Sequence, residues 1–255
     1  MSASRNERRE AARKRAEELR AETARREKRA RTITILSTVA GLTVLAVLIM
    51  VIVAQGSKSP MEAVEHQPRN VVDGKVQFGD VDNADVEAIV FSDYMCPHCN
   101  TFETVNGADL KELADTDGVV VSYYPVSYLD AASQGTRYST RSSNAAMCVA
   151  DLAKDSFVEF HESVFANQPA QNTPGLPDDE LVELAIAAGA PESVRECIVD
   201  GEFNDYVSAI SQHASVEHEV TGTPTSIING VQDRDMNLNW SEPGALKAAV
   251  LDELN

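Results

Sequence analysis

An uncharged run of 22 residues, Ile33 to Ala54, divides the chain into parts that belong in different environments. As a helix at about 1.5 Å per residue it reaches roughly 33 Å, enough to cross the hydrocarbon core of a bilayer. Arg25, Arg26, Lys28, Arg29 and Arg31 crowd its N-terminal side. Residues 1–31 hold twelve Lys/Arg and six Glu, a net of +6, and the whole chain is −18, so the part after the run carries −24. The positive-inside bias puts the basic tail in the cytoplasm and the acidic part outside. A cleaved signal peptide is the alternative, although its apolar core is shorter, roughly 7–15 residues. This charge split excludes a simple cytosolic enzyme. The acidic surface also argues against binding of nucleic acid.

Four segments follow from this reading: a tail at 1–31, a single-pass membrane helix at 32–54, a linker at 55–69 and a domain at 70–255. The tail has i,i+4 pairs in the favourable order (Glu10 with Lys14, Glu22 with Arg26, Glu27 with Arg31) but almost no apolar face, so it reads as a solvated helix beside anionic lipid. In the domain, Val76–Phe78, Val86–Phe91, Val119–Tyr124 and Thr225–Ile228 have strand character, and Asn229-Gly230 signals a hairpin. Phe102–Ala114 and Glu242–Leu254 read as helices, and residues 140–219 as several more. The predicted fold class is α/β, with an all-helical insertion at about 131–219.

Four cysteines lie beyond the apolar run, where disulfides persist. Cys96 and Cys99 are spaced C-x-x-C, directly after a hydrophobic strand and at the start of a helix. That position suits thiol–disulfide exchange, in which a thiolate is the attacking species. Unpaired N–H groups and the helix dipole favour negative charge on Cys96. His98 adds to that, and Pro97 suits the first turn, where its missing N–H costs nothing. Cys96 is expected to be the more exposed, with Cys99 one turn inward as the resolving thiol. A structural disulfide or half of a metal site are the alternatives. Far along the chain, Thr223-Pro224 precedes a strand, a place where a cis bond is possible. Cys148 and Cys197 fall in the helical block, and a bridge between them is expected in an oxidising compartment, two free buried thiols being the alternative. His66, His161, His213 and His218 suggest no metal-ligand cluster.

The Cys96-Pro97-His98-Cys99 site, the preceding Phe91-Ser92-Asp93-Tyr94 and the following Phe102-Glu103 resemble the thiol oxidoreductases of the DsbA type. Thr221-Gly222-Thr223-Pro224-Thr225, then Ile228-Asn229-Gly230, resembles that family's cis-proline loop and hairpin. The resemblance covers residues 70 to 255 and implies a thioredoxin fold. The N-terminal anchor on an acidic ectodomain is similar to membrane-tethered actinobacterial members. By resemblance, Cys96 is the nucleophile, Cys99 the resolving thiol, and Thr223-Pro224 packs beside the sulfurs. The implied activity is oxidation of unfolded exported proteins, without a bound cofactor or metal. A quinone-linked membrane partner, DsbB-like or vitamin-K-epoxide-reductase-like, would provide reoxidation. A reductase or isomerase fed by a membrane electron donor and a non-catalytic metallochaperone or assembly module are the rival functions. The chain departs from the family at Val90, where members often carry a buried acid six residues before the first Cys. Glu103 matches another acid of the family and is the substitute expected. Asp93 is the weaker candidate, because an Asp in a pre-helix loop is usually solvated or capping.

Overall fold

A computed structural model describes Arg15, Arg20, residues 22–23, 25–26, 28–29, 31, 33–34 and 36–50, Met61, and residues 64–254. The chain divides into two compact units, Met1–Lys58 and Ser59–Asn255. In the first, residues 36–50 are helical. Its large apolar side chains, Leu36 to Met50, are exposed on every side. Among the described residues no helix is long and apolar enough to cross a membrane. Residues 32, 35 and 51–54 of the expected membrane helix lie outside the described residues, as do 55–60 and 62–63 of the expected linker.

The second unit is built on a five-stranded sheet: β1 (Val76–Gly79), β2 (Val86–Ser92), β3 (Val119–Pro125), β4 (Thr225–Ile228) and β5 (Val231–Gln232), in the order β1-β3-β2-β4-β5. β2 and β3 are parallel, in register from Val86 opposite Val119 to Ser92 opposite Pro125. Parallel neighbours need a crossover, and α1 (Pro97–Ala114) supplies it. β4 pairs antiparallel with β2, and β1 antiparallel with β3. Asn229 and Gly230, both at positive φ, turn β4 into β5 as a type I′ hairpin requires. α7 (Ala245–Glu253) closes the chain, packed on α1 and β2. This is a thioredoxin-fold α/β core.

Between β3 and β4 lie five helices: α2 (Tyr138–Leu152), α3 (Phe157–Ala166), α4 (Asp178–Ala187), α5 (Val194–Asp200) and α6 (Asn204–Glu217). They explain why every residue of β3 is buried. Successive side chains of a strand point to opposite faces. Tyr123 meets Phe157 and His161 of α3, while Tyr124 on the other face donates a hydrogen bond to the Ile210 carbonyl of α6. The insertion thus covers both sides of the sheet, the condition under which a strand loses its polar alternation.

Packing begins ahead of residue 70. Met61 is buried in the core, and Arg69 clamps Asp151 at the end of α2 through its backbone N–H (2.6 Å) and its guanidinium (2.7 Å). Gly74 takes φ +83° directly over the Tyr124 ring and donates its N–H to the Tyr206 hydroxyl at 3.1 Å. A Cβ there would collide with the ring, so only glycine lets the chain pass this close.

Cys148 of α2 and Cys197 of α5 are disulfide-bonded at a sequence separation of 49. Closing a loop of that size stabilises by about 4 kcal/mol in the chain-entropy account. The double variant Cys148→Ser/Cys197→Ser should therefore melt roughly 8–16 °C lower, with its activity retained below the transition. Calorimetry of both proteins, together with a turnover assay, checks this, and an unchanged melting temperature would contradict it.

Candidate active site

The site lies where β2 hands over to α1. The chain leaves the sheet at Ser92, passes through Asp93, Tyr94 and Met95, and enters the helix at Cys96, the residue immediately before its first turn. Cys96 is extended (φ −83°, ψ 115°), and its carbonyl accepts the N–H of Cys99 at 3.0 Å and of Asn100 at 3.3 Å. Pro97 occupies the first helical position, and no acidic residue stands in the first turn. Pro97 and His98 are exposed, Cys96 is 5% exposed and Cys99 is fully buried. Cys96 is thus the more accessible sulfur, although its margin over Cys99 is small.

Both cysteines are free thiols. The Cys99 side chain, through a hydrogen bond to Cys96, is the largest influence on Cys96 and favours its thiolate. Burial opposes this, while the Thr223 side chain and the backbone N–H groups of Cys99 and His98 assist. The result holds the Cys96 thiol down to about 5. Burial, reinforced by Cys96, drives Cys99 in the opposite direction, well above an ordinary thiol. The pair therefore separates into an acidic outer thiol and a weakly acidic inner one, the division of labour that disulfide exchange requires.

The loop before β4 closes the site from the other side. The Thr223–Pro224 bond is cis. The Thr223 carbonyl accepts a hydrogen bond from Cys96 Sγ at 3.3 Å, which brings residues 127 apart in sequence into contact. A groove of about 740 Å³ runs past the outer sulfur, walled by Cys96, His98, Tyr128, Leu129, Val220 and Thr223. Tyr128 and Leu129 follow β3, so the groove joins all three parts of the fold. Gln168, just beyond α3, donates to the carbonyls of Tyr94 (3.0 Å) and Cys96 (2.9 Å) and fixes the approach to the helix.

Two acids were candidates in the sequence. Val90 is buried in β2, and no carboxylate stands at that position. Glu103 lies one turn beyond Cys99 on the same helical face and is buried. Its Oε2 is 3.3 Å from His161 Nε2, while His161 Nδ1 is 2.9 Å from the Tyr94 hydroxyl. His161 is 1% exposed, in a box of Tyr94, Tyr123, Phe157 and Phe165. No ligand spacing in the sequence marks His161, because its partners come from other elements. Gly107 explains how the acid fits: a Cβ there would stand 2.6 Å from Glu103 Oε1.

Asp93 departs from expectation. It is neither solvated nor a helix cap. It is fully buried and accepts hydrogen bonds from the N–H of Met95 (2.8 Å) and Leu129 (2.9 Å) and from the Ser139 hydroxyl (2.7 Å). The signal that it is special lies in the fold of the insertion, which brings Ser139 against it.

The model of the family described as Thioredoxin matches residues 73–244. The structure resembles the crystal structure of reduced DsbA from Mycobacterium tuberculosis, with 30% identity, a TM-score of 0.60, and coverage of 71% of this chain and 93% of that one. Disulfide bond formation protein D of Bacillus subtilis is 28% identical over 173 residues, 66% of this chain and 72% of its own length. Serine/threonine-protein kinase PknE of M. tuberculosis is 27% identical over 165 residues, and the matched region spans only 29% of that longer protein.

Three expectations follow from this geometry. Thiolate absorbance of the reduced chain should titrate near pH 5. Because folding depresses this pKa, the reduced form gains stability as pH rises from about 5 towards the ordinary thiol value, and loses it as pH falls through 5. Thr223→Val keeps the shape but removes the hydroxyl, so its midpoint should lie higher. Coincident curves would show that Thr223 acts by shape alone. Gly107→Ala would gain about 1 kcal/mol at an open helical site, but here the collision with Glu103 should turn this into a net loss of about 1–3 kcal/mol, read by urea denaturation.

Its sequence match and its site architecture agree: this chain belongs to the thioredoxin family, among the DsbA-type proteins.

Proposed function

We propose that the chain is a membrane-anchored thiol:disulfide oxidoreductase that works as an oxidase on unfolded exported proteins outside the cytoplasm. The observation that carries this reading is the unequal thiol pair beside an open groove: an acidic Cys96 at the helix start over a buried, weakly acidic Cys99. A stabilised outer thiolate favours the reduced form and so makes the disulfide a stronger oxidant. The likeness to disulfide bond formation protein D of Bacillus subtilis supports the same chemistry.

A substrate thiolate attacks Cys96 Sγ of the oxidised pair. The Cys96–Cys99 bond breaks, a mixed disulfide forms on Cys96, and Cys99 leaves as a thiolate that takes up a proton. Glu103 is the carboxyl group we assign to manage that proton, one helical turn away. The substrate's second thiolate then attacks its own sulfur in the mixed disulfide and expels the Cys96 thiolate. Two electrons have passed to the enzyme, and a quinone-linked membrane partner, DsbB-like or vitamin-K-epoxide-reductase-like, removes them. His98 and Thr223 border the groove in which the substrate strand would lie, and Val220 to Thr223 form its far wall.

The anchor is part of the proposal. The apolar run carries no charge, and its described residues form a helix apolar on every side, the pattern of a segment surrounded by lipid. The basic tail orients it with the tail inside.

The full chain, oxidised, should remove free thiols from a reduced unfolded protein, and Cys96→Ser should abolish this. The reduction potential against glutathione decides direction: a value as low as thioredoxin's, about −270 mV, would defeat the oxidase reading and favour a reductase.

A further inference from the structure

We propose that the polar cleft beside Tyr128 is a second subsite for the substrate chain, in which Arg137 takes an acidic side chain some residues away from the reacting cysteine. The proposal deepens the oxidoreductase reading and rests on it.

The groove past Cys96 is continued by a second cleft of about 450 Å³, and Tyr128 and Ser215 line both. An extended polypeptide held at Cys96 therefore meets a further built surface where it leaves the groove. The two differ in chemistry. Leu129 and Val220 line the groove, whereas the cleft is lined by the hydroxyls of Ser127, Thr140, Ser208 and Ser211 and by Asp130 and Arg137. Several of these groups are already engaged. Ser127 Oγ pairs with Ser211 Oγ at 3.1 Å, and the Tyr128 hydroxyl with Ser215 Oγ at 2.9 Å. Asp130 accepts the N–H of Thr140 on one oxygen (2.9 Å) and its hydroxyl on the other (2.6 Å).

Arg137 is not engaged in this way. Its Nε is 3.5 Å from Asp130 Oδ2 and its Nη2 is 3.5 Å from Thr140 Oγ1, both at the outer limit of a hydrogen bond, and its side chain is 58% exposed. A guanidinium carries five N–H donors in a planar fork, so the spare capacity of the cleft is cationic and donating, the chemistry that a carboxylate matches. Other cations of this acidic domain are committed: Arg69, Lys75, Lys111 and Arg141 each hold a carboxylate within 3 Å. Among the described residues no other Lys or Arg lines the groove or the cleft. Arg137 also stands in the left-handed region (φ 55°, ψ 46°) just before α2, a conformation that glycine takes freely. The backbone gives no reason for a long side chain at this position, and the cleft does. Because Arg137 lines the cleft and not the groove, the acid it receives is removed from the cysteine rather than adjacent to it.

The sign of the effect is diagnostic. A chain of net charge −18 attracts cationic peptides as a whole, so a preference for an acid at particular positions requires a local cation. Cys99→Ser in the full chain leaves Cys96 able to hold a mixed disulfide that no inner thiol resolves. Charged with glutathione, this variant exchanges with a reduced peptide of one cysteine: the peptide thiolate attacks Cys96 Sγ, the bond to glutathione breaks, the bond to the peptide forms, and glutathione leaves as its thiolate. The exchange constant, read by mass spectrometry, is compared for peptides with Ala, Glu or Lys at each position up to about six residues on either side of the cysteine, a reach of roughly 20 Å. Comparing the same peptides across variants cancels the effect of each charge on the peptide's own thiol. Glu should be favoured over Ala about two- to fivefold on one side only, away from the cysteine, and less so in roughly 0.5 M salt. Arg137→Gln should remove the preference and Arg137→Glu should transfer it to Lys. Arg195→Gln, which removes the same charge from an exposed site on α5, should keep it. Mixed disulfides that form with no preference for Glu, or a preference unmoved by Arg137→Gln, overturn the subsite alone. Failure of every peptide to displace glutathione from Cys96 overturns the oxidoreductase reading, and the subsite with it.

Discussion

A sulfur held at the start of a helix is the constraint on which the rest of this structure depends. The first N–H groups of α1 have no partner within the helix, and Pro97 removes one of them while fixing the entry angle. What remains is a small positive region against which Cys96 lies. Holding it there requires a rigid platform before the helix and a lid beside it. The buried β2 strand is the platform, and the Thr223 carbonyl belongs to the lid. Both derive from the sheet, because β4, which follows Thr223 and Pro224, pairs with β2, which precedes Cys96.

The helical insertion does more than enlarge the domain. Its contacts with the cysteine loop come from three places: Gln168 on the carbonyls of Tyr94 and Cys96, His161 on Tyr94 and Glu103, and Ser139 on Asp93. Each gives the loop or the first turns of α1 a polar partner from a distant element, and a typical hydrogen bond of this kind contributes about 0.5–1.5 kcal/mol. The Cys148–Cys197 bond joins two helices of this same insertion, so the cross-link restrains the part of the fold that supports the site. Stability and chemistry therefore meet in the insertion.

The two buried acids show how one residue type takes different environments in a single site. Glu103 faces an imidazole in an aromatic box, with Gly107 leaving room for its second oxygen. Asp93 faces three donors and no ring nitrogen: the N–H groups of Met95 and Leu129 and the Ser139 hydroxyl. Neither stands at position 90, where a family pattern would put an acid, since Val90 belongs to the apolar interior of β2.

Much of this was legible in the linear sequence. The strands at Val86–Phe91 and Val119–Tyr124, the Asn229-Gly230 hairpin, the cysteine pair at a strand-to-helix boundary and the split of charge about the apolar run all follow from local rules: period, turn chemistry, spacing and charge counting. The helix start at Pro97 follows from the same rules, since a proline suits the first turn. Other features depended on distance in the chain. Asp93 read as a solvated or capping loop acid because burial is decided by what packs over a residue, and its cover comes from residues 36 and 46 positions away. His161 had no ligand pattern because its partners lie on β2's exit loop and on α1. The sequence alone determined the fold class, the identity of the two reactive sulfurs and which of them comes first, since these rest on local patterns. Only the tertiary structure decided which acids are buried beside those sulfurs and what holds them, because burial and hydrogen bonding arise from the meeting of segments that local physics leaves independent.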